Sequence, residues 1–265
     1  TGAWSALVYA NRLVQVPLGI SSTSMSVPML ERFSRAVDAG DNATVQKDLH
    51  TALRFLWFLT LPIVALYCVL GRSIVLLLFQ GGRFEQQSVE LVTLALLFQS
   101  PMMFFNVGRD LITGIFKAVS DTHTPFRVAC LVLLCNAFFD WLFVFVLRMD
   151  VAGIALATTV VSAINFLILL LILRMRIHLG IRKLVPPLLK MIVGTCACMY
   201  AAQLTLSFLS NRLPTDSKVA LCIEIFGSIA VGLSAYLIVS WLLRVSELGL
   251  IWNQSSEALI KLLKR

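Results

Sequence analysis

Long, almost continuously apolar stretches recur along the chain, and polar residues concentrate in the segments between them. A helix that crosses the hydrocarbon core of a bilayer needs about 20 mostly apolar residues. Strands of a membrane β-barrel would instead alternate apolar and polar positions. The pattern therefore predicts an all-α, polytopic membrane helix bundle with seven transmembrane helices. The predicted spans are Ala3–Leu30, Ala52–Leu70, Ser88–Phe116, Phe126–Leu147, Ala152–Leu173, Leu188–Phe208 and Val219–Leu243.

Other features of the pattern describe kinks and the polar segments outside the spans. The first and third spans are long enough to tilt or bend, and Pro17 and Pro101 are candidate kinks. The polar segment Glu31–His50 is predicted to be a loop that carries short helices. In Val245–Arg265, apolar residues recur at helical spacing and basic residues close the chain, which predicts an amphipathic helix on the membrane surface. A frayed, solubilising tail is the alternative for this last segment.

The composition agrees with a membrane protein, because 58% of the residues are hydrophobic and only 14% are charged. Soluble domains carry about 25% charged residues. The net charge of +8 does not indicate nucleic-acid binding, since the basic residues lie mostly between the spans. One set of alternate connections, counted with Arg54 at a helix start, holds fifteen Lys and Arg residues, and the opposite set holds five. The richer set comprises Glu31–Thr51, Lys117–Arg127, Arg174–Lys190 and the tail from Arg244. The positive-inside rule therefore predicts that this set, with the C-terminus, is cytoplasmic.

The first span contains a permanent cation, Arg12, in its middle. An arginine at the centre of a bilayer costs about 2.5–3.5 kcal/mol on insertion scales, so its position requires an explanation. Residues spaced by three, four or seven share one face of a helix. The polar or small residues that follow this spacing are Ser5, Tyr9, Arg12, Gly19, Thr23 and Ser26. This face either meets an aqueous cavity, where the guanidinium suits phosphate or carboxylate, or meets a carboxylate on a neighbouring helix. The residues alone leave both interpretations open.

A second polar constellation lies in the fourth span, where Asn136 and Asp140 are four residues apart and so share a helix face. An aspartate within a span is a candidate functional residue. Its carboxylate and an amide oxygen one turn away form a candidate site for a hard cation, to which Thr158 on the next span can add an oxygen. The predicted ion is Na⁺, because one carboxylate carries too little charge for tight Ca²⁺ binding. Alternatively, Asp140 pairs with Arg109 or stabilises a contact within the bundle.

Arg109 and Asp110 are a further pair of charges within the third span. Adjacent residues point about 100° apart on a helix, so at least one of the two is expected to meet a group on another helix. The sequence contains no recognisable nucleotide-binding loop, Ser/His/Asp set or pair of catalytic acids, and its three histidines form no cluster. The residues alone therefore give no indication of an enzyme, and we expect no cofactor other than the candidate Na⁺.

Several short motifs keep a fixed order along the chain. They are "WSALVYANRLVQVPLGI" (Trp4–Ile20), "LLFQGGRF" (Leu77–Phe84), "DTHTP" (Asp121–Pro125), "AGIALATT" (Ala152–Thr159) and "SAINFLILLLILR" (Ser162–Arg174). Their order and spacing resemble the MurJ/MviN lipid II flippases, within the MATE-like multidrug/oligosaccharidyl-lipid/polysaccharide exporter superfamily. Members of that family have fourteen helices in two pseudo-symmetric lobes. The resemblance implies that the seven spans correspond to helices eight to fourteen, and that the amino-terminal lobe is missing from this chain.

The resemblance also implies roles for individual residues. Arg12 matches an arginine that faces the family's central cationic cavity for the lipid-linked diphosphate, and Ser5 matches a cavity-side serine. Asn11 stands where the family usually has Asp, which would make this cavity more positive. Some members place an Asn-x-x-x-Asp pair, with a threonine from the next helix, where this chain has Asn136, Asp140 and Thr158.

The organisation implied by the resemblance has three parts. Residues 1–173 form a carboxyl-terminal transport lobe with five spans, residues 174–243 add two spans that form a groove for the prenyl tail, and residues 244–265 form the cytoplasmic amphipathic tail. The implied function is a flippase that moves the lipid-linked peptidoglycan precursor lipid II by alternating access, in cell-wall biogenesis. A membrane potential or an ion gradient would drive transport.

The implied partners are the undecaprenyl-diphosphate-linked substrate, membrane lipids and the missing amino-terminal lobe, and no nucleic acid. The implied location is the bacterial inner membrane, with a plastid envelope as the alternative. Two other functions stay open. An exporter of another polyprenyl-diphosphate-linked glycan is compatible with the Asn11 exchange, and a transport-inactive membrane scaffold would need no cavity at all.

Overall fold

The computed structural model describes residues 2–79, 86–177, 180–212, 218–245 and 247, and only the backbone of residues 2, 3, 20–30, 37, 38 and 181. Over these ranges the chain is helical and has no strand, which confirms the all-α fold class. The long helices are α1 Gly2–Asp38, α2 Asn42–Phe79, α3 Gln86–Gln99, α4 Met102–Ala118, α5 His123–Trp141, α6 Asp150–Ile177, α7 Val185–Ser210 and α8 Lys218–Leu242. A π-helical turn, Leu142–Val146, extends α5, and a 3₁₀ turn, Ile181–Lys183, precedes α7. The predicted amphipathic tail lies almost entirely outside the described residues.

Most of the helices have the length and apolar composition of membrane spans. In the described part of the chain, α2, α5 with its π-helical turn, α6, α7 and α8 each meet these criteria. Helices α3 and α4 meet them together as one span bent by 45°. Helix α1 is a continuous helix of 37 residues but is not among these spans. Helix α2, the bent α3–α4 unit and α5 to α8 therefore account for six of the seven predicted spans, and the first predicted span lies in α1.

The predicted loop over Glu31–His50 is wrong. Helix α1 continues to Asp38, α2 begins at Asn42, and only residues 39–41 connect them. Gly40 adopts a left-handed φ of 69°, which glycine reaches without steric cost, and this conformation ends α1. The Asp41 carboxylate then accepts a 3.0 Å hydrogen bond from the Thr44 N–H at the start of α2. The polar residues of this segment belong to helix ends that extend beyond the apolar span.

The third predicted span breaks at a proline. The turn at Ser100 and Pro101 separates α3 from α4. Proline has no N–H to donate within a helix, and its ring clashes with the preceding turn. The Ser100 N–H still donates to the Leu96 carbonyl at 2.8 Å, so the turn keeps part of the helical bonding. The kink predicted at Pro101 is confirmed, whereas α1 continues through Pro17 without a break.

Helix α2 is the centre of the bundle, because it packs against α1, α3, α4, α7 and α8. On one side, the Trp57 ring stacks on Phe104 of α4 with ring centroids 4.9 Å apart. On the other side, the Tyr236 hydroxyl of α8 donates a 2.9 Å hydrogen bond to the Phe58 carbonyl. Two successive residues of α2 therefore join the α3–α6 part of the bundle to the α7–α8 pair.

Helices α7 and α8 pack closely against each other through glycines. A Cβ atom at Gly194 would lie 3.2 Å from the Tyr236 ring and from the Ser240 hydroxyl. A Cβ atom at Gly232 would lie 3.2 Å from the Ala202 Cβ and 3.3 Å from the Cys198 carbonyl oxygen. These distances are shorter than ordinary carbon contacts, so the hydrogen side chain of glycine sets how closely the two helices approach.

The four connections that are rich in basic residues meet at one end of the bundle. The Arg176 guanidinium of α6 lies 2.7 Å from the Asp121 carboxylate in the α4–α5 connection. Hydrogen bonds from Thr124, together with Arg176, lower the pKa of Asp121 to about 2. The Gln46 side chain of α2 donates to the Ile177 carbonyl, and Arg54 contacts the Lys183 carbonyl and Glu247. The distribution of Lys and Arg predicted that these segments lie on one side of the membrane. In the structure they lie together at one end of the bundle.

Candidate functional site

Helix α1 presents its polar stripe on an exposed face. Ser5, Asn11, Arg12, Gln15 and Gly19 are exposed. The opposite face packs into the hydrophobic core through Ala6, Ala10, Val14 and Leu18. Tyr9 lies at the boundary, with its ring centroid 4.7 Å from that of Phe79. The side chains of Thr23 and Ser26, which continue the predicted stripe, are outside the described residues.

Arg12 makes no ion pair with a carboxylate of the described residues. Among the described residues there is thus no neighbouring-helix carboxylate of the kind that one interpretation of the sequence required. An exposed guanidinium keeps its hydration and its five N–H donors, which match the oxygens of phosphate or carboxylate. The Ser5 hydroxyl lies two helical turns away on the same polar face, and the Asn11 amide lies beside Arg12 in sequence. The face is therefore able to bind an anion.

Asn136 and Thr158 line the same cavity within the bundle. Its volume is about 240 Å³, and it lies between α4, α5 and α6. The polar residues around it are Arg109, Asn136, Thr158 and Ser162. The Asn136 Oδ1 atom is buried and has no hydrogen-bond partner among the described residues. The Thr158 hydroxyl donates to the Ile154 carbonyl at 2.9 Å, so its oxygen can still accept a bond or coordinate a cation.

Asp140 lies one turn after Asn136 on α5 but does not line this cavity. Its Oδ1 atom is also buried without a hydrogen-bond partner among the described residues. Buried oxygens normally have a partner, so two such atoms one turn apart require an explanation. A hard cation such as Na⁺ fits them, because carboxylate, amide and hydroxyl oxygens are the ligands that hard cations prefer. The set Asn136, Asp140 and Thr158 stays a prediction.

The two charges of α4 pair with each other, and among the described residues neither forms the predicted ion pair with another helix. The Arg109 Nε and Nη2 atoms donate to the Asp110 Oδ1 atom at 3.0 and 2.7 Å. Adjacent residues diverge by about 100°, but three methylene groups let the guanidinium fold back along the helix to its neighbour. The Asp110 carboxylate therefore neutralises the positive charge of Arg109. The alternative in which Asp140 pairs with Arg109 is therefore also not observed.

Sequence analysis did not assign two polar residues of this cavity to the candidate cation site. Arg109 reaches the cavity from α4, and Ser162 reaches it from α6. The sequence does carry a signal for Ser162, because it follows Thr158 by four residues and so shares its helix face. Arg109 was considered only as a partner of Asp140, because the contact between α4 and α6 that brings it to this cavity joins residues far apart in the chain.

Comparisons with known proteins agree on one family. The family model described as "Lipid II flippase MurJ" matches residues 1–222. The "Probable lipid II flippase MurJ" of Rhizobium meliloti (strain 1021) is 30% identical over 256 residues, which cover 94% of this chain and 47% of that protein. The protein of the same name from Synechocystis sp. (strain ATCC 27184 / PCC 6803 / Kazusa) is 29% identical over 175 residues, or 66% of this chain and 32% of its own length.

A solved structure has the same fold. It is described as "Lipid II flippase MurJ, inward closed conformation" and superimposes with a TM-score of 0.72 at 24% identity. The match covers 92% of this chain and 48% of that one. The chain thus spans no more than about half the length of these similar proteins. Because the family model covers most of the chain, the chain belongs to the MurJ family of lipid II flippases.

Proposed function

We propose that the protein containing this chain moves a lipid-linked peptidoglycan precursor, lipid II, across the membrane in cell-wall biogenesis. The observation that carries this proposal is the exposed polar face of α1, with Arg12 at its centre, in a chain of the MurJ family. A cation on a helix that packs its other face into the bundle is suited to line a cavity between two lobes. The second wall of that cavity would come from an amino-terminal lobe, which corresponds to the remaining half of the similar proteins.

The proposed mechanism is alternating access without covalent chemistry. Two lobes rock against each other around a fixed site, which opens to one leaflet at a time. The Arg12 guanidinium binds a diphosphate through two parallel hydrogen bonds, and the Ser5 hydroxyl and Asn11 amide add weaker ones. Residues 1–173 form the transport lobe that carries these side chains.

Helices α7 and α8, within residues 174–243, form a groove for the prenyl tail. Large apolar side chains are exposed along both, including Tyr200 and Phe208 on α7 and Phe226 on α8. A polyprenyl chain would contact such a surface without the cost of burying a charged group. Membrane lipids contact the other exposed apolar surfaces.

Na⁺ bound by Asn136, Asp140 and Thr158 is the proposed coupling or structural ion. The two buried oxygens without described partners support this assignment. The proposed location is the bacterial inner membrane as a multi-pass protein. Its basic end and C-terminus face the cytoplasm, as the fifteen-to-five distribution of Lys and Arg favours.

The test replaces Arg12 in the full-length protein and measures lipid II exposure on the outer leaflet of cells depleted of their own flippase. We expect Arg12→Ala to abolish exposure and Arg12→Lys to retain part of it, because a point charge attracts phosphate but cannot bind it bidentately. Arg72→Ala is the matched control, since Arg72 is also exposed but lies in α2.

Membrane abundance separates the outcomes. Normal abundance of Arg12→Ala without lipid II exposure supports the role of Arg12 in the cavity. Normal abundance with normal exposure contradicts it, and low abundance indicates that Arg12 stabilises the fold instead. If the unmodified full-length protein gives no exposure of lipid II, the exporter of another glycan or the scaffold replaces the proposed function.

A further inference from the structure

A basic cavity lies at the end of the bundle where the basic connections meet. Its volume is about 400 Å³, and three distant segments enclose it: α2, the start of α7 with the turn before it, and the segment that follows α8. The residues that line it are Arg54, Lys183, Pro186, Pro187, Lys190, Arg244, Val245 and Glu247. Four of these residues are cationic and one is anionic, so the lining carries an excess of positive charge.

The single carboxylate of the lining is already engaged. The Glu247 side chain is 2% exposed and lies 3.7 Å from the Arg54 Nη1 atom. Arg54 Nη2 donates to the Lys183 carbonyl at 3.1 Å, and Arg54 Nε is buried without a hydrogen-bond partner among the described residues. Within the described chain, Lys183, Lys190 and Arg244 form no ion pair. Three exposed cations are therefore available to a ligand.

The backbone at the start of α7 contributes little to anion binding. A helix N-terminus usually offers several free N–H groups to an anion. Helix α7 instead begins with Val185, Pro186 and Pro187, and the two prolines have no N–H to donate. The first N–H after them, from Leu188, bonds to the Leu184 carbonyl at 3.2 Å. The side chains of the lining must therefore supply the charge and the donors.

Arg244 occupies a backbone position that usually belongs to glycine. Its φ is 52°, in the left-handed region, directly after α8. The Val245 N–H bonds to the Ser240 carbonyl at 2.9 Å and the Arg244 N–H to the Trp241 carbonyl at 3.0 Å, which together form a Schellman motif. Glycine adopts this conformation without strain, as Gly40 does at the end of α1. An arginine here accepts backbone strain and places a cation in the lining of the cavity.

We infer that this cavity binds the phosphate group of an anionic phospholipid headgroup at the surface of the membrane. Phosphate oxygens match the lysine and arginine donors, and basic pockets between transmembrane helices are suited to anionic headgroups. Exposed apolar residues flank the lining in the same helical turns, with Leu189 on α7 at 58% exposure and Trp241 on α8 at 71%. Acyl chains attached to the bound headgroup would pack along them.

A lipid ligand accounts for both the positive charge of the lining and the exposed apolar residues beside it. Free phosphate shares the headgroup chemistry but accounts only for the charge. The inference goes beyond the proposed function, because it requires neither Arg12 nor transport.

The test uses the full-length protein in a neutral detergent at constant ionic strength. Thermal-shift titrations with short-chain phosphatidylglycerol, short-chain phosphatidylcholine and inorganic phosphate give the apparent Kd of each. We expect phosphatidylglycerol to bind most tightly. The double variant Lys183→Gln/Lys190→Gln should weaken its binding about thirtyfold, because two surface charges near the headgroup are lost. The matched control, Lys117→Gln/Arg127→Gln, removes two exposed cations at the same end but outside the cavity and should leave the Kd unchanged.

Arg244→Gly tests the charge apart from the fold. Glycine relieves the left-handed strain, so the melting temperature without lipid should stay equal or rise. The affinity for phosphatidylglycerol should nevertheless fall about fivefold, since one charge is lost. If both Arg244→Gly and the double lysine variant bind phosphatidylglycerol as the unmodified protein does, or if the control pair weakens binding equally, the inference is overturned. A different result is that inorganic phosphate raises the melting temperature as much as phosphatidylglycerol does, with the same dependence on Lys183 and Lys190. That result would overturn the lipid assignment and identify free phosphate as the ligand.

Discussion

Arg12 and Arg109 both lie within apolar stretches, and the structure lowers the cost of placing each guanidinium there in a different way. A lone guanidinium at the bilayer centre costs about 2.5–3.5 kcal/mol on insertion scales. Arg109 reduces this cost by donating two hydrogen bonds to Asp110, and its side chain is 33% exposed. Arg12 has no described carboxylate partner and lies on an exposed polar face. Of the two, Arg12 alone keeps its full charge for a ligand.

The buried oxygens of Asn136 and Asp140 make a prediction at the residue scale. If Na⁺ binds them, the full-length protein should melt at a higher temperature in Na⁺ than in K⁺ at equal ionic strength. At a Na⁺ concentration tenfold above Kd, the stabilisation should be about 1.4 kcal/mol. Asp140→Asn keeps the shape of the side chain but removes its charge, so it should abolish the difference between the two salts.

Asp150→Asn is the control for this measurement. Asp150 is an exposed carboxylate at the start of α6, and its left-handed φ of 46° is one that asparagine also tolerates. This variant should keep the Na⁺ effect. A melting temperature of the unmodified protein that does not distinguish Na⁺ from K⁺ would remove the cation site, and the two oxygens would then need a polar partner from elsewhere in the protein.

At the scale of elements, the α7–α8 pair depends on close contact at Gly232. A Cβ atom there would lie 3.3 Å from the Cys198 carbonyl oxygen, a backbone atom that cannot move aside without shifting α7. Gly232→Leu should therefore separate the two helices and destabilise the protein by about 1–3 kcal/mol, the usual cost of overpacking. Gly114→Leu is the matched control in α4, because nothing lies within 4 Å of a Cβ atom at that position. Thermal unfolding in detergent measures both, and equal melting temperatures would contradict the role of Gly232 in packing.

Hydropathy predicted the apolar part of the helices and missed their polar extensions. The break at Pro101 could be predicted, because proline acts through the local backbone. The continuation of α1 to Asp38 and the start of α2 at Asn42 could not be predicted from apolar runs. These helix ends are amphipathic: Phe33, Val45 and Leu49 are buried in the core, while the Asp41 carboxylate accepts a hydrogen bond from the Thr44 N–H at the start of α2. A capping pattern in the sequence, rather than hydropathy, carries this information.

At the scale of the whole molecule, the cavities depend on contacts between distant residues. Asn136 and Thr158 were predicted together, since the fourth and fifth spans are consecutive and short connections favour neighbours. The basic cavity joins Arg54, Lys183 and Arg244, which lie far apart in the sequence and were counted only as topology signals. Their meeting depends on α2 packing against both α7 and α8, which hydrophobic periodicity does not specify. Site residues within one helix face can thus be predicted more readily than those that packing assembles.

The same packing makes the orientation of the whole bundle testable. Contacts between Arg176 and Asp121, and between Arg54 and Glu247, place the basic connections at one end, and the positive-inside rule assigns that end to the cytoplasm. In a cysteine-free full-length protein, Lys47→Cys and Arg182→Cys should stay unlabelled by a membrane-impermeant maleimide in intact cells. Arg212→Cys and Lys218→Cys, at the ends of α7 and α8 that face the other side, should be labelled. All four positions are exposed, so labelling reports the side of the membrane rather than burial of the thiol. Permeabilised cells, in which all four must react, provide the control, and the reverse pattern in intact cells would place the basic cavity and the C-terminus outside.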